Sequence, residues 1–136
     1  MKKICLLAAV LLFGFRASAI GAEIDLDFAF NQLKGNGAVP FANALYQDPD
    51  NAQRLATRMA PLLQGGGEFY NYEVVSRRFL TKKVERIVLA LYFERFPVYL
   101  RLDFYDTFKG KICLPALVSK DATDVLPLEI ISAAGK

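Results

Sequence analysis

The sequence predicts an α+β domain in which helices come first and antiparallel strands follow. Three observations predict this order: apolar residues at helical spacing up to residue 64, the run Gly65-Gly66-Gly67, and period-two alternation of apolar and polar residues after it. Helices that precede a meander of strands usually pack on one face of the sheet. We therefore expect two to three N-terminal helices packed on a curled four-stranded antiparallel sheet.

A signal peptide is expected to precede this domain. Met1-Lys2-Lys3 is a short positive start, and residues 4–15 (ICLLAAVLLFGF) form an uncharged apolar run. This run is shorter than the roughly 20 apolar residues that a membrane span needs. Small residues follow, and we assign residues 1–22 to a cleavable signal peptide, with cleavage after Ala19 or Ala22. The short Lys-Lys start is typical of bacterial leaders, so we predict a periplasmic or secreted protein.

The helical half divides into three segments. Asp25 is a suitable N-cap for a first helix, whose apolar residues run at helical spacing from Leu26 to Leu33. Gly35-Asn36-Gly37 breaks this helix, and Pro40 suits the first turn of the second. Asp48-Pro49-Asp50 begins a third helix, which the three glycines end after Gln64.

The second half divides into four strands, at residues 68–79, 84–94, 98–107 and 112–118. The third strand alternates most clearly: Val98, Leu100, Leu102 and Phe104 point one way, and Tyr99, Arg101, Asp103 and Tyr105 point the other. The first two strands carry apolar residues on both faces, which predicts a curved sheet whose second face is partly covered. The single domain is expected to span residues 23–131, with residues 132–136 as a frayed tail.

Residues 85–111 (ERIVLALYFERFPVYLRLDFYDTFKGK) contain a strand, a turn with proline, a strand ending in Phe-Tyr and a glycine turn. Residues 33–37 (LKGNG) supply a helix break before the second helix. In these features the chain resembles small exported bacterial proteins of the cystatin-like or nuclear-transport-factor-2-like cone superfamily. The narrower family usually has tryptophan where Ile112 stands here. The resemblance implies the cone fold, which is shared by isomerases, dehydratases and binding modules, so it leaves the function open.

Composition restricts the chemistry. The chain has no histidine, which excludes Ser-His-Asp and Cys-His mechanisms and sites that depend on histidine to hold zinc or haem, and we expect no cofactor and no metal. There are 17 basic and 14 acidic residues, but Lys2, Lys3 and Arg16 belong to the leader. The rest of the chain therefore has 14 of each, and this balanced charge does not favour nucleic acid as a partner. Cys113 is the one cysteine after the leader, so no disulfide is expected; it is either a buried strand residue or a reactive thiol.

The polar row on the third strand contains the catalytic candidates. A carboxylate beside a phenol can act as a general acid–base pair on a carbonyl substrate, and resemblance to ketosteroid-isomerase-like enzymes implies such groups on this sheet. The candidates are Asp103 with Tyr99 or Tyr105. Arg101 and Tyr92 are candidate binding residues. The alternative interpretation is a half-solvated sheet face with cross-strand ion pairs.

A basic hairpin is the other candidate surface, with Arg77, Arg78, Lys82, Lys83 and Arg86 in ten residues. It suits contact with anionic lipid, or it is a solvated tip whose charges discourage aggregation. Taken together, we expect a non-catalytic exported module that binds a small apolar ligand or an envelope protein. The alternatives are an isomerase or lyase that uses a carboxylate and a tyrosine in a cone cavity, and a peripheral membrane contact through residues 77–86. A homodimer formed through the sheet is a further expectation.

Overall fold

The computed structural model describes residues 24–127 and 129–130. Helices α1 (Leu26–Asn36), α2 (Ala38–Leu45) and α3 (Pro49–Gly66) come first, and the chain then forms β1 (Phe69–Thr81), β2 (Val84–Phe93), β3 (Pro97–Thr107), β4 (Gly110–Cys113), β5 (Leu117–Ser119) and the short helix α4 (Ala122–Val125). This order confirms the α+β class. The predicted signal peptide and the predicted frayed tail lie outside the described residues.

The helix boundaries follow from capping residues. The Asp25 carboxylate accepts a hydrogen bond from the Phe28 amide at 3.0 Å, and Asp48 accepts one from the Asp50 amide at 3.1 Å. Helix α3 continues two residues past Gln64 to Gly66, and its C-cap is Gly67, whose φ is 79°. In the described part of the chain, no helix combines the length and the apolar character needed to cross a membrane.

The strands form one open antiparallel sheet in the order β1-β2-β3-β4, with β5 also paired to β3. The prediction of a single fourth strand over residues 112–118 is wrong. Cys113 pairs with Phe104, and Leu117 pairs with Arg101. Between these two pairs the chain advances four residues, from 113 to 117, whereas β3 advances only three, so one residue of the predicted strand has no partner in β3. Pro115, which has no amide hydrogen, lies in that irregular stretch and divides the strand into β4 and β5.

The main core lies between the helices and the sheet face turned towards them, called here the inner face. Leu89 is paired with Leu100 and Leu91 with Val98, and all four side chains are fully buried. They belong to one cluster with residues of all three N-terminal helices, including Phe30, Phe41 and Met59. The predicted alternation in β3 is confirmed, because Val98, Leu100, Leu102 and Phe104 are buried whereas Tyr99, Arg101, Asp103 and Tyr105 are half-buried or exposed.

The opposite face of the sheet, the outer face, is also partly covered. Val88 and Ala90 of β2 point away from the main core and are nevertheless buried. Helix α4 packs against β3 and β5, and its Val125 is buried as well. The expectation of a second, partly covered face is therefore confirmed.

Candidate ligand-binding cleft

A cleft of about 510 Å³ lies between the start of α1 and the inner face of the sheet. This volume falls within the range of roughly 300–1,000 Å³ that is typical of small-molecule sites. Its apolar lining consists of Ile24, Leu26, Val74, Ile87 and Phe104, and its polar lining consists of Asp25, Asp27, Tyr72, Arg77, Glu85 and Lys111. The cleft therefore offers an apolar wall beside a compact group of charges.

Glu85 is the buried charge of the cleft, with 4% of its surface exposed. Its Oε1 accepts a hydrogen bond from Arg77 Nε at 2.5 Å, and its Oε2 accepts one from Lys111 Nζ at 3.4 Å. The hydrogen bond from Arg77 lowers the pKa of Glu85, and Lys111 lowers it further, against the opposing effect of burial. Glu85 is therefore ionised at neutral pH, and we name these three residues the ion cluster.

A β-bulge in β1 places Arg77 in the cleft. Residues three apart on a regular strand point to opposite faces, so Val74 and Arg77 would be separated. The register shifts between Val74 and Ser76, so that Val74 pairs with Leu89 and Arg77 pairs with Ile87, which are both inner-face residues. The bulge therefore brings an apolar and a cationic side chain of the same strand into one site.

A carboxylate–phenol pair closes the other side of the cleft. The Tyr72 hydroxyl donates a hydrogen bond to Asp27 Oδ1, which joins β1 to the first turn of α1. Burial, followed by this hydrogen bond and the Asp27 charge, raises the pKa of Tyr72 to about 12. The Tyr72 ring stacks on Phe30 with 4.1 Å between ring centroids. Tyr72 is thus a neutral phenol whose proton is already directed at Asp27.

The catalytic candidates of the third strand lie on the outer face, and Asp103 is not among the residues that line the cleft. Arg86 donates two hydrogen bonds to Asp103, at 2.8 Å and 2.9 Å, and these lower the pKa of the carboxyl group. An acid–base role for Asp103 with Tyr99 or Tyr105 stays a prediction, and it would require a substrate on the outer face.

The two predicted binding residues also lie away from the cleft. Tyr92 donates a hydrogen bond to Glu73 Oε2 at 2.7 Å, and this bond raises the pKa of the phenol. Arg101 is half-buried on the outer face, where its strand partners are Val88 and Leu117. The predicted polar row therefore lies on the outer face, whereas the cleft is lined by a different set of residues.

The five cations of the basic hairpin do not form one patch. Arg77 turns inward to Glu85, and Arg86 turns outward to Asp103. Arg78, Lys82 and Lys83 are exposed near the end of the hairpin. Two of the five therefore hold buried or half-buried carboxylates, and three remain available to a partner.

The structure favours the buried-strand interpretation of Cys113. Only 7% of its surface is exposed, and burial raises the pKa of its thiol to about 12. Within residues 24–127 and 129–130, no group of three or more acidic or thiol side chains is placed to hold a metal ion.

Sequence reasoning missed Asp27, Tyr72, Glu85 and Lys111 as cleft residues. A signal existed for Glu85, because it stands in phase with Ile87, Leu89 and Leu91, the buried stripe of β2. A charge in phase with a buried stripe needs a partner of opposite charge. Asp27 and Tyr72 are 45 residues apart and carry no such local signal.

No protein-family model matches the chain, and neither the curated proteins nor the solved structures contain a match. The geometry of the cleft is therefore the basis on which a function can be inferred.

Proposed function

We propose that this protein is an exported, non-catalytic binding module of the cystatin-like or nuclear-transport-factor-2-like cone type, and that it holds a small, largely apolar ligand in the cleft. The observation that carries this proposal is the cleft itself, which joins an apolar wall to a fixed ion cluster. Such a combination of apolar lining and a few oriented polar groups is the usual design of a ligand site.

The charges of the cleft indicate the polar character of the ligand. Arg77 and Lys111 are both neutralised in part by Glu85, and the carboxylates of Asp25 and Asp27 lie nearby. The five ionisable side chains sum to a charge of −1, so the cleft has no strong preference for an anion or a cation. We therefore assign it a ligand with an apolar body and an uncharged polar end that hydrogen-bonds to the ion cluster.

Two further features support the cone assignment and the export. Three helices cover one face of a sheet whose first strand contains three register shifts, and bulges of this kind curl a sheet. Residues 1–22 have the three regions of a cleavable leader, which supports a periplasmic or secreted location.

Titration with N-phenyl-1-naphthylamine, an uncharged apolar dye that fluoresces in apolar sites, tests the proposal. We expect saturable binding by the parent and its loss in Val74→Trp, because Val74 lines the cleft and is 45% exposed, so that a larger side chain obstructs the cleft without entering the core. The control is Val39→Trp, which adds the same ring at a valine of α2 that is 61% exposed and lies outside the cleft. Val39 lines a separate groove between α2 and α3, so loss of binding in the control instead would place the ligand there and contradict the proposal.

One observation favours a second candidate function, an isomerase or lyase in the same cleft: Asp27 and Tyr72 put a carboxylate and a phenol in contact there. Such an enzyme would exchange the α-protons of a ketone, and deuterium exchange of cyclohexanone followed by NMR measures this directly. Exchange that the parent catalyses and Asp27→Asn does not would establish the enzyme. If cyclohexanone exchanged no faster with the parent protein than in buffer alone, the enzyme hypothesis would be wrong.

A further inference from the structure

Two turns come together at one end of the sheet. Val84, at the start of β2, pairs with Tyr105 near the end of β3, and the Asp106 amide donates a hydrogen bond to the Lys83 carbonyl at 2.8 Å. The β1–β2 turn at Lys82-Lys83 and the β3–β4 turn at Phe108-Lys109 are therefore neighbours. We name this end of the sheet, residues 78–83, 105–109 and 112, the tip.

The tip exposes an unusual amount of apolar surface. Nine large hydrophobic side chains are conspicuously exposed among the described residues, and five of them belong to the tip: Phe79 (64%), Leu80 (42%), Tyr105 (37%), Phe108 (90%) and Ile112 (40%). Phe79 pairs with Glu85 of the inner face, and Tyr105 of the outer face pairs with Ile112, so apolar side chains are exposed on both faces at this end of the sheet. Single exposed apolar residues are ordinary on a protein surface, whereas five at one end of a sheet indicate an interaction site. Phe108 is the most exposed of all and occupies a turn, where no packing within the sheet requires a phenylalanine.

The tip is also the basic part of the protein. The residues of the tip include four basic residues and one acidic residue, a net charge of +3, although the chain after the leader is balanced. Glu85 and Asp103, which lie next to the tip, form ion pairs with Arg77, Arg86 and Lys111. Arg78, Lys82, Lys83 and Lys109 stay exposed, and Lys109 Nζ lies 5.5 Å from the centre of the Phe108 ring.

We propose that the tip docks on an anionic membrane surface, a function additional to ligand binding in the cleft. Phe108, Phe79 and Leu80 enter the boundary between head groups and acyl chains, and the exposed cations contact lipid phosphates. Apolar side chains surrounded by lysine and arginine are the composition of interfacial membrane anchors, because each part interacts with a different layer of the lipid. The charge of the tip selects anionic over neutral lipid.

An environment-sensitive label on the full chain tests the docking, because the label reports the surroundings of its own position and not attachment of the chain through the apolar leader. In a Cys5→Ser background, Phe108→Cys carries an NBD fluorophore, since Cys113 is buried. The control carries the same label through Val39→Cys on α2, which is exposed and outside the tip. The probes are vesicles of pure phosphatidylcholine and vesicles of equal parts phosphatidylcholine and phosphatidylglycerol.

We expect the label at position 108 to brighten and shift to the blue with the anionic vesicles only, and the label at position 39 to stay unchanged. Lys82→Glu with Lys83→Glu should weaken the response at least about tenfold, because each basic residue near an anionic surface contributes on the order of 1 kcal/mol. Lys34→Glu, on α1, should leave the response as it is. An unresponsive label at position 108, or an equal response at both positions, would overturn the proposal. If the label at position 108 responded to poly-glutamate but not to vesicles, the partner of the tip would be an acidic protein, and the proposal of membrane docking would again be overturned.

Discussion

Arg77 reaches Glu85 diagonally across the first two strands, with Nε 2.5 Å from Oε1, although the residue paired with Arg77 in the sheet is Ile87. Lys111 approaches the same carboxylate from β4, on the far side of β3. One buried carboxylate therefore links β1, β2 and β4 at the floor of the cleft. This arrangement fixes the polar groups of the proposed site before any ligand binds.

Removal of the Glu85 carboxylate should destabilise the fold. We expect Glu85→Ala to lower the free energy of unfolding by about 2–3 kcal/mol, because Arg77 and Lys111 both lose the buried carboxylate to which they donate hydrogen bonds. Urea unfolding followed by circular dichroism measures the change. Glu73→Ala, which removes an exposed carboxylate from β1, is the control and should cost less than about 1 kcal/mol. Equal effects of the two substitutions would show that the buried cluster has no special role.

The ion cluster should also make the free energy of unfolding depend on pH. The pKa of Glu85 is lower in the folded protein than the ordinary value of 4.5, so its stabilising effect is complete above that value and is lost as the pH falls through the folded pKa. The difference in unfolding free energy between the parent and Glu85→Gln should therefore be constant near neutral pH and shrink below pH 4.5. A difference that does not change with pH would mean that Glu85 is not ionised in the fold.

Gly67 should tolerate no side chain. Its φ is 79°, and a Cβ there would lie 2.5 Å from Glu94 Oε2 and 3.1 Å from Glu94 Cβ. We expect Gly67→Ala to cost about 2 kcal/mol in a thermal or urea unfolding experiment. Gly35→Ala is the matched control, because Gly35 lies within α1 with open space around it, and alanine there should add about 0.5–1 kcal/mol of stability. The account of how α3 ends would be contradicted if both substitutions stabilised the protein.

Cys113 should be chemically inert in the folded state. With a pKa of about 12, only about one thiol in 10⁴ is ionised at pH 8, and the side chain is buried as well. Alkylation by iodoacetamide at pH 8, located by peptide mapping, should be at least about 100-fold slower in native protein than in urea. A thiol introduced by Val39→Cys should react at the same rate in both conditions. Rapid native labelling of Cys113 would support the reactive-thiol interpretation instead.

The fold could be predicted from local patterns in the sequence, but the residues that line the cleft could not. Alternation in β3 identified Val98 and Leu100 as core residues, and Asp25 and the glycine run marked the ends of helices. The break at Pro115 was missed, because the apolar residues around it continue a strand pattern that the missing amide hydrogen interrupts.

The residues of the cleft depend on register and on long-range contacts. Arg77 enters the cleft through a bulge, and bulges in β1 have no clear signature in the sequence. Tyr72 meets Asp27 only after α1 packs on β1. Periodicity therefore predicts which face a residue occupies on a regular strand, but it fails at the places where the strand is irregular, and the proposed site is built at such a place.

Native mass spectrometry of the protein recovered from cells tests the proposed ligand site most directly. The account predicts that the parent carries a small-molecule adduct and that Val74→Trp, recovered in the same way, carries little or none. A parent without any adduct, or an equal adduct on both proteins, would contradict it.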